Sequence, residues 1–96
     1  MAVSLEAKVP VLFFKEGKKV IAYSPALDLS TCGDTERQAR KRFAEAAVIF
    51  ITEIHKMGTL DEVLEECGWC KVPEQDTWAP PVYKSIEESV KIPVGV

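Results

Sequence analysis

Apolar and polar residues alternate at the start of the chain. Val3, Leu5, Ala7, Val9, Val11 and Phe13 are separated by mostly polar partners, the period-two pattern of a half-buried strand. Pro10 interrupts it, because proline has no N–H to give to a ladder. The strand therefore has an edge or bulge there, or its paired part begins at Val11. KEGKK (15–19) predicts a short turn with Gly17, and VIAYS (20–24) predicts a second strand, hairpin-paired to the first. Pro25 to Asp28 read as a turn and Leu29 to Cys32 as a short third strand, ended by Gly33 and Asp34.

The period then changes from two to about 3.6. Thr35 and Gln38 have capping-box spacing, so a long helix is predicted from Glu36 to Met57. Ala39, Phe43, Ala46, Ala47, Phe50, Ile54 and Met57 fall within an arc of ~100°, which suits packing on one face of a sheet. Gly58 is placed to end it. TLDE (59–62) has the spacing of a second capping box. Leu60, Val63, Leu64 and Cys67 give a short helix one apolar face before Gly68. Residues 69 to 84 hold Pro73, Pro80 and Pro81 with Trp69 and Trp78, and read as a loop ordered by the two indoles. SIEESVKIPV (85–94) alternates Ile86, Val90, Ile92 and Val94 with Glu87, Ser89 and Lys91, which predicts a last strand, although Glu88 occupies an apolar slot.

The order β-β-β-α-(α)-β predicts an α+β fold: a small antiparallel or mixed sheet with one long helix packed on it. With 96 residues, one domain over 1–96 is expected. Twelve basic and fifteen acidic residues give a net charge of −3, which does not favour non-specific binding to nucleic acid or an anionic membrane. The opening residues lack a basic segment followed by an apolar block, and no run approaches the ~20 apolar residues of a membrane span. Three cysteines, an odd number, argue against a closed disulfide framework. A reducing, cytoplasmic setting is expected.

Candidate chemistry is sparse. Asp28 and Asp34 flank the third strand and could hold a divalent cation, but a turn residue and a helix-start residue are the commoner uses. Cys67 and Cys70 form a CxxC. Cys67 lies at the wrong end of a helix for a lowered thiol pKa, and Cys32 and His55 do not complete a common zinc spacing. His55 is the single histidine and falls on the solvent side of the helix. Neither a metal, nor a cofactor, nor a catalytic residue is expected. Arg37, Arg40, Lys41 and Arg42 cluster in the first turns of the helix, where they suit a solvated face better than RNA phosphates. AAVIFI (46–51) carries more. Val48 lies opposite the core stripe, and Ile49 and Ile51 flank it. The second helix can cover one flank, that of Ile51, but not both flanks and the back. Val48, Ile49 and Ile51 are therefore the expected partner or self-association surface.

The stretch VIAYSPALDLSTCGDTERQARKRFAEA (20–46) resembles the signature of the HicB-like family, the antitoxin side of HicA–HicB toxin–antitoxin pairs. The positions that carry the resemblance are Tyr23, Pro25, Leu27, Gly33, Asp34, Thr35 and Ala39, and it extends more loosely over residues 9 to 57. It implies a degenerate RNase H-like β-β-β-α-β unit, here with one inserted short helix. It implies no enzyme: the role is to mask the small RNA-cleaving toxin HicA. A cytoplasmic homo-oligomer, dimer or tetramer, that can bind a HicA-like toxin is the leading expectation. Typical full-length members carry a C-terminal DNA-binding segment, helix-turn-helix or ribbon-helix-helix, and the stretch after Gly68 is too short for either, so no DNA partner is expected. The alternative is an RNA-binding or RNA-processing protein that uses the basic start of the long helix.

Overall fold

The computed structural model describes residues 8–74, 77–82 and 84–95. Three strands, β1 (Leu12–Glu16), β2 (Lys19–Ser24) and β3 (Leu29–Gly33), form an antiparallel sheet in the order β1-β2-β3. Helices α1 (Glu36–Lys56) and α2 (Leu60–Glu66) come next, and then a separate two-stranded ribbon of β4 (Cys70–Val72) and β5 (Thr77–Ala79). The α+β class and the order of the first five elements agree with the sequence pattern.

The β1–β2 hairpin turns on Gly17 and Lys18 alone, with Glu16 paired to Lys19. Gly17 has φ +62 at the first turn position, where only glycine is comfortable. The short turn expected over 15–19 is thus two residues long, and Lys15, Glu16 and Lys19 belong to the ladder. The alternation from Val3 to Ala7 lies outside the described residues. Val9 and Val11 precede the first strand and pack half-buried on the core.

Directly paired residues in an antiparallel ladder share a face. Ala22 pairs with Phe13 and with Thr31, and the Thr31 hydroxyl donates to the Ala39 carbonyl at 3.1 Å. That face meets α1, which packs chiefly over β3 and β2. Ala22, Ala39 and Phe43 form one buried cluster; Ala26, Leu27, Leu64 and Trp69 form a second. Val9, Leu29 and Ala47 touch both and join them.

Thr35 caps α1 as its spacing predicts: its Oγ1 accepts from the Gln38 amide at 3.1 Å. The Gln38 side chain in turn accepts from the Asp34 N–H at 2.7 Å, one residue earlier than in the usual box. At the far end the Thr59 N–H reaches the Ile54 carbonyl at 2.9 Å and the Gly58 N–H reaches His55 at 3.1 Å, with Gly58 at φ +71. This double bond pattern is a Schellman closure. Its geometry overturns the second capping box. Thr59 is tied into the end of α1, its φ and ψ of −112 and 11 are not those of an N-cap, and its hydroxyl points to the Ile54 carbonyl at 3.3 Å.

Three further expectations are corrected. Met57 is the C-cap residue of α1 and is 69% exposed, so the buried stripe ends at Ile54. Residues 69 to 84 are not all loop: Cys70 pairs with Ala79, Lys71 with Trp78 and Val72 with Thr77. The strand expected over 85–94 is not formed. Residues 84–95 carry no helix or strand and are exposed throughout, so the fourth strand of the predicted β-β-β-α-(α)-β order is replaced by the β4–β5 ribbon.

Candidate functional site

The stretch from Tyr23 to Ala39 is a junction. Leu27 is buried, and the next residue, Asp28, turns the chain with φ +48. Tyr23 donates its hydroxyl to Asp28 Oδ1 at 3.3 Å, and desolvation, followed by the nearby Asp28 charge, raises the phenol pKa. Pro25 sits in the turn between β2 and β3. Gly33 ends β3 where α1 lies directly on the backbone: a Cβ there would meet the Ala39 nitrogen at 2.6 Å and the Gln38 carbonyl carbon at 3.0 Å. Asp34 pairs with Lys19 across the sheet at 2.5 Å, and both side chains are exposed. The hydrogen bond, with the Coulomb attraction behind it, holds the Asp34 carboxyl below its ordinary pKa and the Lys19 ammonium above its own.

Asp28 and Asp34 stand at opposite ends of β3, about 20 Å apart along a strand. One cation cannot bridge that gap. Among the described residues no group of three or more His, Cys, Asp or Glu is placed to hold a metal ion. Cys67 caps the C-terminus of α2, Cys70 begins β4, and both are free thiols, as is Cys32. His55 is exposed in the last turn of α1.

The expected partner surface is better defined. Val48 and Ile49 are 66% and 63% exposed on the side of α1 turned from the sheet. Ala44 and Glu45 line a shallow apolar depression with them. Glu53, one turn beyond Ile49, is also exposed. Ile51 lies elsewhere: it is half-buried against the cluster of Leu64 and Trp69, on the flank α2 covers. Beside it a groove of about 380 Å³ runs between α1, α2 and the two indoles, with Val48 at its rim.

Two surfaces were not singled out from the sequence. The first is the sheet face away from α1. There Leu12, Tyr23 and Ser30 form one cross-strand row and Phe14, Ile21 and Cys32 the next. Leu12 and Phe14 are about half exposed. The signal was present: three consecutive apolar residues, Leu12, Phe13 and Phe14, place apolar side chains on both faces of one strand. The second is a concavity of about 300 Å³ in which Phe13 meets Glu36, Arg37 and Arg40. No aromatic residue interleaves with those arginines in the sequence; the ladder brings Phe13 to them from β1. Arg42 is committed elsewhere, donating to the Cys32 carbonyl at 3.0 Å.

Among the described residues no helix is long and apolar enough to cross a membrane. Compared with protein-family models, with curated proteins and with solved structures, the chain matches none.

Proposed function

We propose that the protein is a non-catalytic, cytoplasmic interaction module of the HicB-like type, built on a degenerate RNase H-like unit, and that it masks a HicA-like RNA-cleaving toxin. The observation that carries this reading is the strip of Val48 and Ile49 between Glu45 and Glu53 on the outer side of α1. An apolar strip bordered by carboxylates fits a small basic partner, since the apolar centre supplies affinity and the rim supplies steering. The junction residues Tyr23, Pro25, Leu27, Gly33, Asp34, Thr35 and Ala39 support the reading through their resemblance to the family. Their part is architectural: they launch α1 across the sheet.

The test is co-expression with a small basic reading frame encoded beside this one. The chain should relieve toxin-induced growth arrest and RNA cleavage, and Val48→Asp with Ile49→Asp should abolish relief. A genome neighbourhood with no such frame, or relief untouched by the double substitution, sinks the proposal.

A second reading has one observation behind it. Phe13, Arg37 and Arg40 line one concavity, and an aromatic face beside guanidinium groups is the equipment for a single-stranded base and its phosphate. Fluorescently labelled single-stranded RNA should then bind in a salt-sensitive way that Arg37→Gln with Arg40→Gln removes.

A further inference from the structure

A free strand edge and an unattached apolar arm stand in the same chain. β1 pairs with β2 on one side, and among the described residues no strand pairs with its other side. All five of its residues are exposed, and none is a proline. An edge of this kind is a template for another strand. The arm over 84–95 is the complementary object. In an extended chain Ile86, Val90, Ile92 and Val94 share one side with Glu88, and Glu87, Ser89 and Lys91 take the other. The exposure of the four apolar residues runs from 66% at Ile86 to 91% at Val94.

We propose that the arm adds to the β1 edge of a second copy of this chain, and that the second copy returns the exchange, giving a twofold dimer of four-stranded sheets. Proline placement agrees with this. Alternate residues of a strand direct their N–H and C=O groups to opposite edges. A ladder made through Ile86, Glu88, Val90 and Ile92 leaves Pro93 facing outward, where its missing N–H breaks no bond. Pro93 then blunts the new edge, and assembly stops at two sheets.

The way the arm leaves the body selects another copy over its own. Pro81 packs on Gly68, so closely that a Cβ on that glycine would lie 3.2 Å from the proline Cβ. Pro80 and Pro81 have fixed φ and resist folding back. The arm therefore starts from a fixed point at the end of α2 and runs outward. The molecule is 63 Å long and 28 Å and 19 Å across. Its radius of gyration is 16.6 Å, against about 12.5 Å for a compact chain of this length. Extended, the arm spans about 40 Å, and β1 needs only about 17 Å of it. The dimer does not depend on toxin binding, and its test contains no toxin.

Light scattering after size exclusion on the full chain, at tens of micromolar, reads the oligomer. A dimer is expected. Removal of 85–96, or Val90→Asp with Ile92→Asp, should weaken it at least about tenfold. If the shortened chain does not fold, the double substitution, which touches no buried residue, carries the comparison. In a mixture of isotope-labelled and unlabelled copies, the Ile86, Val90 and Ile92 methyls of one should show nuclear Overhauser contacts to Leu12 and the Phe14 ring of the other, which share one face of β1. A monomeric full chain, a dimer at unchanged strength in the double variant, or arm contacts confined within one copy overturns the proposal.

Discussion

A Cβ placed on Gly33 would sit 2.6 Å from the backbone nitrogen of Ala39. The last residue of β3 and the first full turn of α1 thus touch through bare backbone. Ala39 is itself fully buried, and Thr31 from the middle of β3 bonds its carbonyl. The small residues at 33 and 39 are two sides of one close approach. The obstacle to a side chain at 33 is helix backbone, which cannot move aside as the tip of a side chain would.

Gly33→Ala should therefore destabilise the fold by about 1–3 kcal/mol, the usual cost of overpacking a closed contact. Urea unfolding reads it. Gly58→Ala makes the control: its φ of +71 strains an alanine, but an added Cβ there meets nothing within 4 Å. A Gly33→Ala variant as stable as the parent would mean that α1 does not lie on β3 as described.

Trp69 closes the second cluster. It is 5% exposed, and its Nε1 donates to the Ala26 carbonyl at 2.7 Å across 43 residues of sequence. Trp69→Phe keeps most of the ring and leaves that carbonyl unpaired, at a cost of about 1–3 kcal/mol. Trp69→Ala also opens a cavity and should cost about 3–5 kcal/mol. Thermal unfolding of both variants gives the ranking, and a Trp69→Phe variant as stable as the parent would show that the indole N–H has no buried partner.

The two threonines before the helices should differ. Thr35→Ala removes a true N-cap and should cost about 1 kcal/mol. Thr59→Ala removes only a long 3.3 Å bond to a carbonyl that already receives the Thr59 N–H, and should cost a few tenths of that. Chemical denaturation of the pair distinguishes them; equal costs would restore Thr59 as a cap.

The Asp34–Lys19 pair sets a pH signature. The Asp34 carboxyl is held below its ordinary 3.8, so its contribution is complete above that value and disappears as pH falls through the lower folded pKa. The Lys19 ammonium is held above its ordinary 10.5, so its contribution is complete below that value and disappears as pH rises through the higher folded pKa. The melting-temperature gap between the parent and Asp34→Asn should be flat from about pH 5 to 9 and close at both extremes. A gap that varies inside that window would assign the effect to other groups.

Val48→Asp with Ile49→Asp should leave unfolding free energy within about 0.5 kcal/mol of the parent, because both side chains already face solvent. Large destabilisation would place them in a core.

Local signals in the chain were sufficient wherever an element is closed by its own neighbours. Thr35 with Gln38, and Gly58 and Gly68 at positive φ, mark the helix ends because capping is decided within a few residues. The long stripe from Ala39 to Ile54 shows which face of α1 is buried, and Val48 and Ile49 appear as its uncovered side for the same reason. The capping box at Thr59 misled because the preceding helix had already claimed that residue. The alternation over 85–94 misled because period two states only that a segment can be a strand; a strand exists when an edge receives it, and the chain's own edge does not. The meeting of Phe13 with Arg37 and Arg40, the bond from Trp69 to Ala26 and the contact of Gly33 with Ala39 join residues whose nearness is created by packing, so only the tertiary structure decided them.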